Sequence, residues 1–369
     1  MSDSQKKKLS ICIVSEQLAG GGAEKASALL STFFEAKGCH VHHVIVIDKV
    51  EYEFKGELLN LGQHKKDHFN WKDRIQRFQL LRKFFNQNHF DYIIDTRVRN
   101  RQWQEFFIAK FIYNAPLIVV VHSFMTYLYF PKSLFLAQRI FKNAFKIIGV
   151  SQAITKKVKQ LYHYQNVETI YNPIDFKAIQ NALKESINSD FQYVLAVGRM
   201  TDNIKQFDKL IQCYAKSVLP SHNVKLVLVG DGAFRNELEQ LTQQLNLSHS
   251  VLFYGAVSNP FPYYEKALFT ILTSKNEGFP TVLLESLACG TPVVAFDCQS
   301  GPSEIIIDKQ NGLLVDNQNE VKMTEAINEM FENKELYLHC KKNATSSVTQ
   351  FSLENIGNQW MQLLQFKDQ

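Results

Sequence analysis

The chain has 369 residues, 45% of them hydrophobic and 21% charged, the make-up of a globular protein with a sizeable core and length enough for about two domains. Those proportions exclude a disordered chain, a collagen-like repeat and a long coiled coil. The net charge of +5 is uneven: Lys and Arg concentrate in residues 1–185 while the remainder is net acidic, so the first half is expected to meet something anionic.

No run of about 18 apolar residues occurs, so no segment is expected to span a bilayer. The apolar stretch before Glu16 is too short for a secretory leader. The six cysteines (Cys12, Cys39, Cys213, Cys289, Cys298 and Cys340) form no Cys-x-x-Cys pair, which suits reduced thiols in the cytoplasm.

In chain order, short apolar runs alternate with helical patterns. In the first half strands are predicted at Leu9–Val14, Val41–Ile47, Tyr92–Asp95, Leu117–Val121, Lys146–Val150 and Val167–Ile170, with helices including Ala23–Ala36 and Ile75–Phe85. The second half repeats the scheme, with strands at Tyr193–Val197, Lys225–Val229, Val251–Tyr254, Phe269–Thr273 and Pro292–Phe296. Its helices fall at Phe207–Ser217, Arg235–Leu245 and Thr281–Ala288. Near-continuous Val/Ile/Leu strands alternating with helices indicate parallel sheets covered on both faces, hence an α/β protein of two doubly wound domains. The break is expected in the polar stretch Lys184–Asp190, giving domains 1–185 and 186–350. A last amphipathic helix, Phe351–Phe366, falls within a terminal segment 351–369.

Ligands of such folds bind beyond the carboxyl ends of the strands, so the loops there carry the chemistry. Gly20-Gly21-Gly22 follows the first strand and precedes a helix, leaving room for an anion near free amides, or simply forming a tight turn. It is not the Gly-x-Gly-x-x-Gly dinucleotide fingerprint. The unit Thr273-Ser-Lys-Asn-Glu277-Gly278-Phe279-Pro280-Thr281-Val282 is more specific: Pro280 suits a helix's first turn, and the amides of Gly278, Phe279, Thr281 and Val282 converge there on a phosphate. Glu277 in the loop and Glu285 along the helix are eight positions apart, two carboxylates able to take sugar hydroxyls; otherwise Glu285 is a solvated helix position. Arg199 and Lys205 leave the carboxyl end of one strand and form a pair able to clamp a diphosphate, or ordinary surface salt bridges. His122 closes the strand Leu117–Val121 and is either structural or functional. No Asp-x-Asp, His-Glu-x-x-His, spaced Cys/His cluster, Gly-x-Ser-x-Gly elbow or Walker loop occurs, so no metal is expected.

These residues resemble the retaining glycosyltransferases of family 4, which have the two-domain GT-B architecture. The signature runs through Val197-Gly-Arg199, Lys205, Gly230-Asp-Gly232, Phe253-Tyr-Gly255, Glu277-Gly-Phe-Pro280 to Glu285, Ala288-Cys-Gly-Thr-Pro-Val-Val294, Gly301-Pro-Ser-Glu304 and Asn311-Gly-Leu-Leu-Val315. Gly21-Gly22-Ala23-Glu24, His122, Val150-Ser151 and Asn172-Pro-Ile-Asp175 match more loosely. The resemblance implies two Rossmann-like domains with an inter-domain cleft and a terminal helix crossing back to the first. It further implies that Arg199 and Lys205 hold the donor diphosphate, Glu285 the ribose hydroxyls and Glu277 the transferred sugar. By the same resemblance Ala256–Val257 meets the base, Gly21 and Gly22 close over the diphosphate, and His122 lies near the anomeric carbon. Two departures stand out: Gln206 follows the lysine where the family usually has Gly, and Pro173 follows Asn172 where it often has Gly.

The expected function is therefore metal-independent, retaining transfer of a hexose or N-acetylhexosamine from a nucleotide-sugar, most simply a UDP-sugar, to a lipid-linked or oligosaccharide acceptor in a bacterial surface glycan. Within the same architecture a phosphorylase or epimerase is an alternative, and a non-catalytic sugar-nucleotide-binding subunit is another. Basic–aromatic stretches at Lys72–Phe85, Arg97–Trp103 and Phe124–Lys142 predict reversible attachment to an anionic membrane at its inner face, or solvated charge over a core. No nucleic-acid-binding module is recognised.

Overall fold

The computed structural model describes residues 8–65, 71–99 and 101–365. It divides into two compact units: residues up to Pro173 together with those from Leu353 onward, and Ile174–Ser352.

The first unit runs β1 (Ser10–Ser15), α1 (Gly22–Ala36), β2 (His40–Ile45), β3 (Glu57–Asn60), α2 (Trp71–Gln87), β4 (Tyr92–Asp95), α3 (Gln102–Phe111), β5 (Leu117–Val121), α4 (Leu134–Phe141), β6 (Lys146–Gly149), α5 (Gln152–Tyr162) and β7 (Val167–Thr169). Its seven strands are ordered β3-β2-β1-β4-β5-β6-β7, every pair parallel. The central strands read as unbroken apolar runs because helices cover both faces: Ile11 to Val14 and Ile118 to Val121 are all buried. β3 was not anticipated. It is a four-residue edge strand, half of it exposed, and carries little of the hydrophobic signal that marks a central strand.

The second unit runs α6 (Phe176–Ala182), β8 (Tyr193–Val197), α7 (Phe207–Lys216), β9 (Lys225–Val229), α8 (Arg235–Gln244), β10 (Val251–Gly255), α9 (Phe261–Lys266), β11 (Thr270–Leu272), α10 (Thr281–Ala288), β12 (Val293–Asp297), α11 (Pro302–Ile305), β13 (Gly312–Asp316), α12 (Glu320–Glu332) and α13 (Lys334–Ser347). Its strand order is β10-β9-β8-β11-β12-β13, also wholly parallel. In both sheets the winding reverses beside the first strand, between β1 and β4 and between β8 and β11. Those two switch points are where doubly wound folds take their ligands.

The polar stretch 184–190 lies inside the second unit rather than at the boundary. The helix before it, α6, opens on Asp175, whose Oδ1 accepts from the amides of Lys177 and Ala178 and caps the helix start. At the other end α14 (Leu353–Gln365) belongs to the first unit, where Ile356, Trp360 and Leu364 are buried and Gly357 meets the Phe33 ring of α1. A Cβ at Gly357 would lie 2.5 Å from that ring, so only glycine lets the two helices approach this closely. The expected end of this helix, Phe366, lies outside the described residues.

Candidate active site

In the second unit the switch point is built by two loops, Gly198–Gln206 after β8 and Thr273–Pro280 after β11. They are tied together by their backbones: the Lys275 amide donates to the Ile204 carbonyl at 2.8 Å, and Thr273 Oγ1 donates to the carbonyls of Lys205 and Gln206, each at 3.1 Å. On that frame Lys205 Nζ meets Glu277 Oε1 at 2.6 Å, both side chains mostly buried. A charge-assisted hydrogen bond of this length in a partly dry site is far stronger than one on the open surface. Lys205 is thus in a salt bridge, but with the other predicted site residue and at the switch point.

Glu277 leads into Gly278-Phe279-Pro280, and α10 begins at Thr281. Pro280 is the cap residue just before the helix, not a member of its first turn as expected; its carbonyl receives the Leu283 amide at 3.1 Å. The Thr281 and Val282 amides, like those of any helix start, have no intrahelical acceptor. The loop is pinned from behind by Ser300, whose Oγ donates to the Gly278 carbonyl at 2.7 Å. Gly301, at φ 97°, packs on Pro280, where a Cβ would stand 2.4 Å from its Cδ. Phe279 is buried edge-on to Phe351.

Glu285 is buried, not solvated: Tyr264, fully enclosed on α9, donates its hydroxyl to Glu285 Oε2 at 3.1 Å. Burial and that carboxylate push the Tyr264 hydroxyl well above its ordinary pKa, so it stays a donor. Behind Glu277 the buried Cys298 thiol is pushed up to about 12 by burial and by the Glu277 carboxylate, and is therefore inert. Arg199 is exposed and makes no hydrogen bond or ion pair with the described residues of its unit. Ala256 and Val257 follow β10 at the same end of the sheet, but β10 is the edge strand, two positions beyond β8; Ala256 is exposed and Val257 leans on the Tyr193–Tyr264 cluster.

Gln206 is under backbone strain. It caps α7 in the left-handed conformation (φ 50°, ψ 47°), a geometry natural to glycine. The buried side chain is held by Gln318, whose Nε2 donates to Gln206 Oε1 at 2.8 Å. The departure from the family's glycine thus keeps the same turn and adds a side-chain tether.

In the first unit Gly21 caps α1 in extended conformation, and the Glu24 carboxylate folds back over it. His122 ends β5, and neither ring nitrogen has a hydrogen-bond partner among the described residues. Burial, helped by the Arg99 guanidinium, lowers its pKa to about 3, so the imidazole is neutral at ordinary pH. It lines a small cavity with Ser27, Thr96, Asn172, Pro173 and Trp360.

Between the Gly21 loop and His122 lies β4, and at its end is a cluster the sequence reading missed. Arg97 reaches Asp95 through Nε and Nη2 (3.1 and 2.8 Å) and Glu105 at 3.0 Å; Arg99 Nη2 reaches Asp95 Oδ1 at 3.0 Å, and the Tyr113 hydroxyl donates to Asp95 Oδ2 at 2.8 Å. All four charged residues are buried, and the two arginines hold the Asp95 carboxyl below the usual carboxylate range. The expectation that Arg97–Trp103 forms a basic surface is therefore corrected for its first part: Arg97 and Arg99 neutralise buried carboxylates, while Arg101 and Trp103 are exposed. A carboxylate closing an apolar strand, followed by Arg-x-Arg, was the available signal. Among the described residues no group of three or more His, Cys, Asp or Glu is placed to hold a metal ion.

Two doubly wound units, one carrying a lysine–glutamate bridge and a buried second glutamate at its switch point, define a GT-B glycosyltransferase. The family model for Glycosyltransferase Family 4 matches residues 20–178, and that for Glycosyl transferases group 1 matches 179–347. The chain belongs to the family 4 glycosyltransferases. It is 29% identical to the N-acetylgalactosamine-N,N'-diacetylbacillosaminyl-diphospho-undecaprenol 4-alpha-N-acetylgalactosaminyltransferase of Campylobacter jejuni, over 97% of this chain and 99% of that protein. A second Campylobacter jejuni enzyme, an alpha-1,4-N-acetyl-D-galactosaminyltransferase acting on a diNAcBac-PP-undecaprenol glycan, is 28% identical over 96% and 98%. Among solved structures, a variant of S. aureus TarM with UDP bound superposes with a TM-score of 0.76 at 16% identity, covering 97% of this chain and 100% of that one. Anabaena HepE in complex with UDP gives 0.73 at 21%, covering 96% and 99%.

Proposed function

We propose that this enzyme transfers a hexose or N-acetylhexosamine from a UDP-sugar to a lipid-linked oligosaccharide of a bacterial surface glycan, with retention and without a metal, at the inner face of the membrane. The observation that carries the reading is the Lys205–Glu277 bridge at the second unit's switch point, with Glu285 buried one turn into the adjoining helix. Arg199 and Lys205 offset the charge that develops on the leaving diphosphate, aided by the amides at the start of α10. When the diphosphate takes Lys205, Glu277 is released to accept from hydroxyls of the transferred sugar. Glu285, oriented by Tyr264, takes the ribose hydroxyls. His122, held neutral, serves as a hydrogen-bonding group for the sugar rather than as a charge.

The UDP-bound neighbours support the choice of nucleotide, and the undecaprenol-linked substrates named for the two Campylobacter jejuni relatives support the acceptor class. The test is transfer from UDP-hexoses and UDP-N-acetylhexosamines to undecaprenyl-diphosphate-linked oligosaccharides in EDTA, with the anomer of the product read by NMR. An α-linked product from an α-donor in EDTA is expected. An inverted product, or activity restored only by a divalent cation, would overturn the mechanism.

A further inference from the structure

α3 presents an aromatic stripe to solvent. Trp103, Phe107 and Phe111 recur every fourth residue, one helical face, and are 69%, 50% and 63% exposed. The phenyl rings touch one another: Phe107 and Phe111 lie 5.7 Å apart and Phe106 stands edge-on to both. α4 packs beside α3 and adds Phe135, 73% exposed. A globular surface rarely leaves so many large rings uncovered in one place without a partner.

The charges around this face identify the partner. Between residues 101 and 146 the only carboxylate is Glu105, and it is buried against Arg97. Arg101, Lys110, Lys132, Arg139 and Lys142 are all exposed, so the exposed charge of the stretch that builds this face is wholly basic. Aromatic rings flanked only by Lys and Arg match the interface of an anionic bilayer, where rings settle at headgroup depth and cations meet the phosphates. No described helix is long and apolar enough to cross a membrane, so the contact is in the plane of the surface.

We propose that the α3–α4 face is a bilayer-insertion surface: Trp103, Phe107, Phe111 and Phe135 enter the headgroup region of an anionic leaflet, and the surrounding cations bind its phosphates. This deepens the lipid-linked-acceptor reading and rests on it for its purpose, because insertion holds the first unit where such an acceptor is embedded. Arg97 and Arg99, inside the first unit, take no part.

The test uses the full chain with Trp71 changed to Phe, which leaves Trp103 as the exposed tryptophan beside the buried Trp360. Vesicles of equal parts phosphatidylethanolamine and phosphatidylglycerol are expected to sediment the protein in a salt-sensitive manner and to shift the Trp103 emission to the blue; phosphatidylcholine vesicles do neither. In a separate chain that keeps both Trp71 and Trp103, Phe107→Ser with Phe111→Ser and Phe135→Ser lowers partitioning by about tenfold or more. The urea midpoint of that variant, followed by the tryptophan emission of the first unit, stays near the parent value, which shows that the unit is folded. Bound protein with an unshifted Trp103 emission, or a Ser variant that partitions like the parent, overturns the proposal. So does a dimer in the absence of lipid that the Ser substitutions disperse, since the face would then belong to a second copy. Transfer to a water-soluble acceptor analogue is measured in parallel: its loss with vesicle binding intact strikes the functional reading, not the insertion surface.

Discussion

Lys205 Nζ and Glu277 Oε1 stand 2.6 Å apart across the point where the second sheet reverses its winding. Each comes from a different strand's loop, and the loops are locked by the Thr273 hydroxyl and the Lys275 amide. The two loops are therefore tied together by the bridge itself, cation and carboxylate holding one another at the switch point.

On the proposed reading Lys205 and Glu285 are both needed, for different reasons. Lys205→Ala removes the cation proposed to meet the leaving group and leaves Glu277 without that partner in a mostly buried site. Glu285→Ala removes the buried acceptor that Tyr264 orients. Each is expected to lower kcat/KM by about 100-fold or more, the loss of roughly 3 kcal/mol of transition-state stabilisation. Steady-state kinetics with purified variants checks this; near-parent rates in either would remove that residue from the site.

Gln206 supplies a prediction of stability rather than activity. A non-glycine residue in the left-handed region costs roughly 1–2 kcal/mol, and the Gln318 hydrogen bond returns about 1. Gln206→Gly should therefore leave the melting of the second unit within about 1 kcal/mol of the parent. Gln206→Val, which puts a β-branched side chain in the same conformation and loses the tether, should cost more than about 2 kcal/mol. Scanning calorimetry distinguishes them; equal losses would mean that the turn relaxes to another conformation.

The cluster at the end of β4 is a buried charge network, and such networks respond sharply to losing one member. Arg97→Met leaves Glu105 without its cation and Asp95 with only Arg99 and Tyr113, and is expected to cost about 3–5 kcal/mol in the first unit. All three tryptophans, Trp71, Trp103 and Trp360, lie in that unit, so urea unfolding followed by tryptophan emission reports on it directly. A loss below about 1 kcal/mol would show that the ion pairs are dispensable.

Two buried histidines make the same unit sensitive to acid. His122 is lowered to about 3 by burial and by Arg99; His43, wholly buried on β2 beside the Phe54 ring, is lowered to about 4, chiefly by burial and slightly by neighbouring His42. The unfolded chain binds protons on both near pH 6.5, whereas the folded chain does not. Stability is thus complete above about pH 6.5 and falls as pH drops towards 4, by up to about 1.4 kcal/mol per pH unit for each histidine. His43→Leu should flatten that slope by up to one histidine's share. An unchanged slope between pH 6.5 and 4 would contradict the neutral buried state.

Much of this was legible in the sequence because buried parallel strands write themselves as apolar runs. β4, β5, β8 and β9 have the predicted bounds, and the Glu277–Glu285 unit announces a strand, a loop and a helix. β13 escaped despite the buried Leu313 and Val315 of its apolar run, while the rest that escaped had a weak or misleading local signal. β3 is a short edge strand, half exposed. The Asp175 cap moved the start of the second unit ahead of the polar stretch that reads as a linker. Arg97 and Arg99 look like surface charge until Asp95, Glu105 and Tyr113 are seen to surround them. The Glu277–Glu285 spacing picks out Glu285 as a site carboxylate but not its partner, Tyr264, 21 positions earlier.

The most direct test of the account is a thermal-shift panel with UDP, GDP, ADP and dTDP, each with and without EDTA, on the parent and on Lys205→Ala. Stabilisation by UDP above the others, unaffected by EDTA and abolished in Lys205→Ala, is the expected result. Stabilisation that persists undiminished in Lys205→Ala, or that vanishes with EDTA, would contradict a diphosphate site built on Lys205 without a metal.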